Sequence, residues 1–219
     1  MVHMNKPSPE FQAKATLRKE LLASRAGLPV ATREKESHAV CDTLHPLCEL
    51  TKQVAGFHSF GDEINLIPLI QAIWETRHRV WLPRVEGDSL SFHPVGGEEE
   101  LSPGALGIPE PRRDVFPATV ALPKGLSGPH LTVGGARQGP FAPRHSLMIV
   151  PGLAFGVDGR RLGYGRGYYD RVLAALGKEW ITVGVGFSFQ RCDDLPEGPA
   201  DRRVDGVLLG GDWVKPIQG

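Results

Sequence analysis

The chain has 219 residues, with 25 Lys plus Arg against 25 Asp plus Glu, so its formal net charge is zero. That balance argues against a nucleic-acid or membrane-surface partner, either of which favours a basic excess. The length suits one large domain or two small ones, and 41% hydrophobic with 23% charged residues is average for a globular protein, able to form a core without a disulfide or metal staple.

In chain order, residues 1–9 read as a flexible N-terminus without the apolar core of a signal peptide. A helix is predicted over Glu10–Arg25, with Phe11, Leu17, Leu21 and Leu22 as its apolar face and Lys14, Arg18, Lys19 and Arg25 as its charges. Gly27 and Pro29 stop it, and a second helix is predicted from Thr32, as N-cap, to Leu50. Gln53–Phe60 reads as a strand leading into the loop Gly61-Asp62-Glu63, after which Asn65 caps a helix carrying Ile67, Ile70, Ile73 and Trp74. Val80–Leu82 and Leu90–Pro94 read as short strands on either side of the turn-prone Glu86-Gly87-Asp88.

Residues 96–145 are dense in proline and glycine and show no period, with 116–145 as an insertion or loop; the GIPEP element at 107–111 is too specific for a passive spacer. Order returns at Leu147–Pro151, an apolar run suited to a strand buried on both faces. Tyr168–Leu176 reads as a helix ended by Gly177, and Ile181–Phe187 and Val204–Leu209 as further strands. Helix signals alternating with buried strands predict an α/β layered fold, a mostly parallel central sheet flanked by helices in the Rossmann-like manner. Three cysteines without a CxxC pair favour a reducing, cytoplasmic setting over a disulfide framework or zinc site. No run of about 18 apolar residues suggests a transmembrane helix.

The stretch richest in chemistry is Pro151–Arg171, PGLAFGVDGRRLGYGRGYYDR. It follows a buried strand and precedes a helix, where ligands of open α/β sheets bind. Gly163, Gly165 and Gly167 let successive backbone N–H groups turn toward one concavity. Arg160, Arg161, Arg166 and Arg171 surround them, and a helix starting near Gly167 adds its positive dipole end. These features describe a phosphate cradle, although neither GxxxxGK[ST] nor GxGxxG is matched, and a glycine-rich turn with solvated arginines is the plain alternative. Adjacent helical side chains cannot both face a core, so Tyr168 or Tyr169 should point toward the loop.

The string RLGYGRGYYDR, with PGLAF and GIPEP upstream, resembles the signature of the 5-formyltetrahydrofolate cyclo-ligases, also called methenyltetrahydrofolate synthetases. Lys14-x-x-x-Arg18, FHSFGDEI around Glu63, and the closing Phe187…Gln190…Asp201…Val204-Asp205 follow in the family's order, so the resemblance spans roughly residues 14–209. It implies a NagB/RpiA/CoA-transferase-like fold over 10–219 and the ATP- and Mg²⁺-dependent closure of 5-formyltetrahydrofolate to 5,10-methenyltetrahydrofolate. The γ-phosphoryl passes to the formyl oxygen, N10 attacks the activated carbon, and ADP and phosphate are released.

The resemblance further implies that Lys14, Arg18 and the run Arg161, Leu162, Gly163, Tyr164, Gly165, Arg166, Gly167, Tyr168 and Tyr169 hold ATP. It implies Arg166, Tyr168 and Tyr169 as catalytic, His58, Glu63, Tyr164, Arg166 and Tyr168 against the folate, and Asp170 and Asp201 on Mg²⁺. Partners are then small molecules, with no nucleic acid or membrane, and a monomer or weak dimer. A non-catalytic nucleotide- or RNA-binding relative is the alternative, although such a module should lack an Mg²⁺ carboxylate or a tyrosine of the pair. Taken one at a time, Lys14 and Arg18 also read as a solvated helix stripe. Asp170 also reads as a helix-start carboxylate, Asp201 as a turn residue, and Glu63 as an exposed loop glutamate. Gly156 departs from the family pattern, an aspartate being common there, and so does Arg144-His145-Ser146.

Overall fold

The computed structural model describes residues 9–104, 107–116 and 145–217. The rest of the expected N-terminal segment, and nearly all of 116–145, lie outside them. Helix α1 (Pro9–Ala26) and helix α2 (Val30–Leu50) come first, then β1 (Val54–Ala55), α3 (Ile67–Glu75), β2 (Val80–Glu86) and β3 (Ser89–Val95). A short antiparallel pair, β4 (Leu101–Pro103) with β5 (Pro109–Pro111), follows. The second half holds β6 (Ser146–Pro151), the small hairpin β7 (Ala154–Phe155) and β8 (Arg161–Leu162), α4 (Tyr168–Ala175), β9 (Trp180–Gly186), β10 (Gly206–Leu209) and β11 (Asp212–Lys215).

Seven strands form one sheet in the order β11-β10-β9-β6-β1-β2-β3. The five inner strands, β10, β9, β6, β1 and β2, run parallel, and the edge strands β3 and β11 run antiparallel to their neighbours. Taken in chain order, the parallel strands stand as 2-1-3-4-5, and the order reverses between β1 and β6. Side chains alternate across the sheet: Leu147 and Ile149 of β6 pack under α2 and α3, while Met148 and Val150 face the α4 side. The expected sheet is therefore present, with helices on both faces. Phe155 is fully buried and leans over Gly152 and Gly184; a Cβ built on Gly184 would lie 2.4 Å from its ring. Glycine in a central strand is required there for packing, not for flexibility.

Several expectations are corrected. Thr32 is not the N-cap of α2; the helix starts at Val30, and the Pro29 carbonyl accepts both the Thr32 and Arg33 N–H groups at 3.0 Å. The strand expected over Gln53–Phe60 is two residues long. Beyond Gly56, whose N–H reaches the Trp81 carbonyl, the loop closes on its own side chains: Ser59 Oγ accepts the Leu66 N–H and Glu63 accepts the Phe60 N–H. Strands β2 and β3 are longer than expected, and β10 begins at Gly206 because Val204 and Asp205 are occupied by Gly159 and Thr182. The described part of 96–145 is ordered by Glu100, which takes Arg79 at 3.0 Å and the Gly96 N–H at 2.8 Å. The face expected of α1 also differs: Phe11 and Leu22 are exposed, whereas Lys14 and Arg25 are buried. Leu17 and Leu21 pack against Leu162 and Leu195. Among the described residues no helix is long and apolar enough to cross a membrane.

Candidate active site

In a 2-1-3-4-5 sheet, ligands bind outside the carboxyl ends of the strands where the order reverses. Here that is the crevice beyond Ala55 and Pro151, and a small pocket opens there, with Phe57 and Glu63 from the segment after β1 and Gly152 from the turn after β6. Arg25 of α1, Tyr164 of the loop after β8, and Gln190 close it. Gln190 is 2% exposed and fixes the pocket floor: its Nε2 donates to the Gly152 and Leu153 carbonyls at 2.8 and 3.0 Å, and its Oε1 accepts the Phe187 N–H at 2.7 Å.

The glycine-rich loop Gly163–Gly167 joins β8 to α4 beside this pocket. Gly165 and Gly167 take φ of 103° and 65°, the left-handed region that side chains disfavour. Helix α1 lies across the loop. Arg18 Nε donates to the Gly163 carbonyl at 2.8 Å, and a side chain on Gly165 would meet the Arg18 guanidinium. Lys14 reaches Asp201 at 2.5 Å and Glu10 at 2.9 Å. Burial works against the Lys14 ammonium, but its hydrogen bonds to Asp201 and Glu10 outweigh that and raise its pKa. Desolvation likewise opposes the Asp201 carboxylate, yet the Gly198 N–H and Lys14 hold its pKa below the usual value.

Arg161 is buried, with Nη2 on Asp170 Oδ1 at 2.8 Å and Nη1 on the Pro151 carbonyl at 3.3 Å. Asp170 Oδ1 also accepts the Arg202 N–H at 3.3 Å, which sets Asp170 next to the Asp201 turn. Arg166 is exposed, and its side chain has no hydrogen bond or ion pair among the described residues, unlike Arg160, Arg161 and Arg171. The two tyrosines diverge as adjacent helical residues must. Tyr169 packs edge-on to Phe92 with centroids 6.4 Å apart, and its buried hydroxyl has no hydrogen-bond partner among the described residues. Tyr168 instead points to the β2–β3 turn, donating to the Gly87 carbonyl at 3.1 Å beneath Arg171.

Glu63 accepts the Tyr164 hydroxyl on Oε1 and the Phe60 N–H on Oε2. Desolvation raises its pKa, while Tyr164, Phe60 and Arg25 pull the other way without cancelling the effect. His58 is not in the pocket lining, which takes its neighbour Phe57; its Nδ1 lies 3.2 Å from the Ser59 carbonyl, and Glu98 is the charge it senses. Lys14, Arg18, Asp170 and Asp201 are thus linked around the glycine-rich loop, and Glu63 joins it through Tyr164. Arg25 and Gln190 were missed as site residues. Arg25 stands seven residues after Arg18, on the face shared by Lys14 and Arg18, and that register is the signal that could have found it.

No cluster of three or more His, Cys, Asp or Glu side chains able to hold a metal occurs among the described residues. Asp170 Oδ2 and Asp201 Oδ1 nevertheless have no hydrogen-bond partner among them, the pairs being made on the other oxygens. Two such oxygens suit a hard cation that takes few carboxylates and completes its shell with phosphate oxygens and water.

Fold and site together define an α/β protein whose switch-point crevice, lined by Arg25, Glu63, Tyr164 and Gln190, lies beside a glycine-rich loop held by α1. The chain belongs to the 5-formyltetrahydrofolate cyclo-ligase family, which it matches over residues 10–210. It is 28% identical over 202 residues to a 5-formyltetrahydrofolate cyclo-ligase of Mycolicibacterium smegmatis, covering 90% of this chain and 93% of that one. It is 32% identical over 163 residues to a protein of the same name from Escherichia coli K12, covering 69% and 74%. The solved structure of Aquifex aeolicus 5,10-methenyltetrahydrofolate synthetase superposes with a TM-score of 0.70 at 31% identity, covering 94% of this chain and 93% of that one. The resemblance carried by RLGYGRGYYDR is borne out. Relatives named as ligases and synthetases support a catalytic reading and not that of a binding module.

Proposed function

We propose that the protein converts 5-formyltetrahydrofolate and ATP to 5,10-methenyltetrahydrofolate, ADP and phosphate. The observation that carries the proposal is the convergence, at the β1/β6 switch point, of the α1 cations, the glycine-rich loop and Glu63 in a chain of this family. Lys14 and Arg18 approach the nucleotide phosphates, and the backbone N–H groups of 163–167 with the unpaired Arg166 neutralise the transferring γ-phosphoryl group. That group passes to the formyl oxygen; N10 attacks the carbon and loses its proton, the C–O bond breaks, and phosphate leaves. Tyr168 and Tyr169 flank the transfer, and the Tyr169 hydroxyl, without a hydrogen-bond partner among the described residues, is a donor available to an incoming oxygen. Asp170 and Asp201 would hold Mg²⁺, which when bound neutralises phosphate charge. Glu63, with Tyr164, accepts the hydrogen-bond donors of the pterin.

A cytoplasmic site of action with small-molecule partners, as a monomer or weak dimer, completes the reading; Cys41, Cys48 and Cys192 are free thiols, as a reducing compartment favours. Adding 5-formyltetrahydrofolate and Mg-ATP and following the near-UV absorbance of the methenyl product tests it. Absence of an ATP-dependent absorbance rise would refute it.

A further inference from the structure

Arg25 is a buried cation that the chemistry above does not use. It is 6% exposed, lies on α1 beyond the Lys14–Arg18 motif, and is bonded to partners from two different loops. Its Nε and Nη2 both contact Asp62 Oδ1 at 2.8 Å, on the segment after β1. Its Nη1 donates to the Tyr164 hydroxyl at 2.6 Å, on the glycine-rich loop, and the guanidinium stands 5.6 Å from that ring's centre. Tyr164 passes the connection on by donating to Glu63 Oε1. The carboxylates of Asp62 and Glu63 are neighbours in sequence, and Arg25 is the cation bonded to Asp62 and, through Tyr164, joined to Glu63.

We propose that Arg25 is a positioning residue for the folate half of the site, clamping the Asp62–Glu63 segment to Tyr164 so that the Glu63 carboxylate is aimed into the crevice. The inference rests on the cyclo-ligase reading and extends it. The planar guanidinium suits the place because Nε and Nη2 hold the Asp62 carboxylate while Nη1 reaches the Tyr164 hydroxyl, a fork spread over three nitrogens that the single nitrogen of a lysine does not reproduce. Without it, two adjacent carboxylates lose their shared cation, the Tyr164 hydroxyl loses its donor, and the two loops are no longer tied. Lys14 stays on Asp201, and Arg18 still holds the glycine-rich loop through the Gly163 carbonyl, so the nucleotide half keeps its own tie to α1.

The test is steady-state kinetics of methenyl formation for the wild type, Arg25→Lys and Arg25→Gln, with thermal melts of each. Loss of a charge-assisted contact should raise the KM for 5-formyltetrahydrofolate about ten-fold in Arg25→Gln, with the KM for ATP within about two-fold of wild type. Arg25→Lys keeps the charge but not the bridge and should fall between the two. If Arg25→Gln fails to fold, Arg25→Lys carries the test through the same folate-only rise in KM. A folate KM unchanged in both variants, or equal rises for folate and ATP, would overturn the inference while leaving the cyclo-ligase reading in place. A wild type that forms no methenyl product would remove that reading, and this inference with it.

Discussion

Replacing Asp170 by asparagine separates two roles of one side chain. Its carboxylate pairs with Arg161, whose side chain is 2% exposed against 19% for Asp170 itself. Removing one partner of a fully buried pair costs about 3–5 kcal/mol, but Asp170 sits at the crevice edge and asparagine still accepts one hydrogen bond, so about 2 kcal/mol is expected. For a domain of this length that corresponds to a fall in Tm of roughly 4–8 °C. The sequence alone would let the same substitution leave the fold intact; the buried Arg161 changes that expectation. The cause is checked with Arg161→Met. If the loss reflects an uncompensated charge, the double variant should be more stable than the sum of the single changes allows. Differential scanning calorimetry measures the four proteins, and turnover at limiting magnesium measures the other role. A Tm within about 1 °C of wild type would refute the stabilising pair. An unaltered magnesium dependence in Asp170→Asn would refute its place on the metal.

Three further outcomes follow from the geometry. Lys14→Ala and Arg18→Ala should each raise the KM for ATP about ten-fold, through loss of roughly 1.5–3 kcal/mol of charge-assisted contact; an unaltered ATP dependence in folded variants would leave the two cations with only their structural contacts to Asp201 and Gly163. Glu63→Gln should weaken folate binding by about an order of magnitude and leave ATP binding nearly unchanged, as calorimetric titration of each ligand would show. His93 is 1% exposed; burial, then the Arg84 charge, push its pKa down from 6.5 to about 4. The unfolded chain therefore binds a proton there between those values that the native state does not, so stability rises with pH across that window. The urea midpoint should fall on acidification from 6.5 toward 4, less so in His93→Gln, and equal slopes would count against the assignment.

What the sequence determined by itself was local. The apolar run Leu147–Pro151 suited a strand buried on both faces, and every residue of it is buried in β6. The glycines of 163–167 marked a loop that needs left-handed backbone, and Tyr168-Tyr169 could only diverge on a helix. The order of motifs from Lys14 to Asp205 was enough to name the family. What tertiary structure decided were the pairings between distant segments. Lys14 and Asp201 are 187 residues apart yet bonded, and Arg25 meets Tyr164 across 139. Periodicity misjudged α1 because its cations meet the Asp201 carboxylate and the Gly163 carbonyl of the far half of the chain and Asp62 after β1, while Phe11 stays exposed. The expected strand over Gln53–Phe60 shortened for a related reason: after Gly56 its backbone donors turn to Ser59 and Glu63, which places Phe57 rather than His58 in the pocket. Composition fixes what a segment can bury. Which partner neutralises a buried charge depends on the strand order that brings that partner within hydrogen-bonding distance.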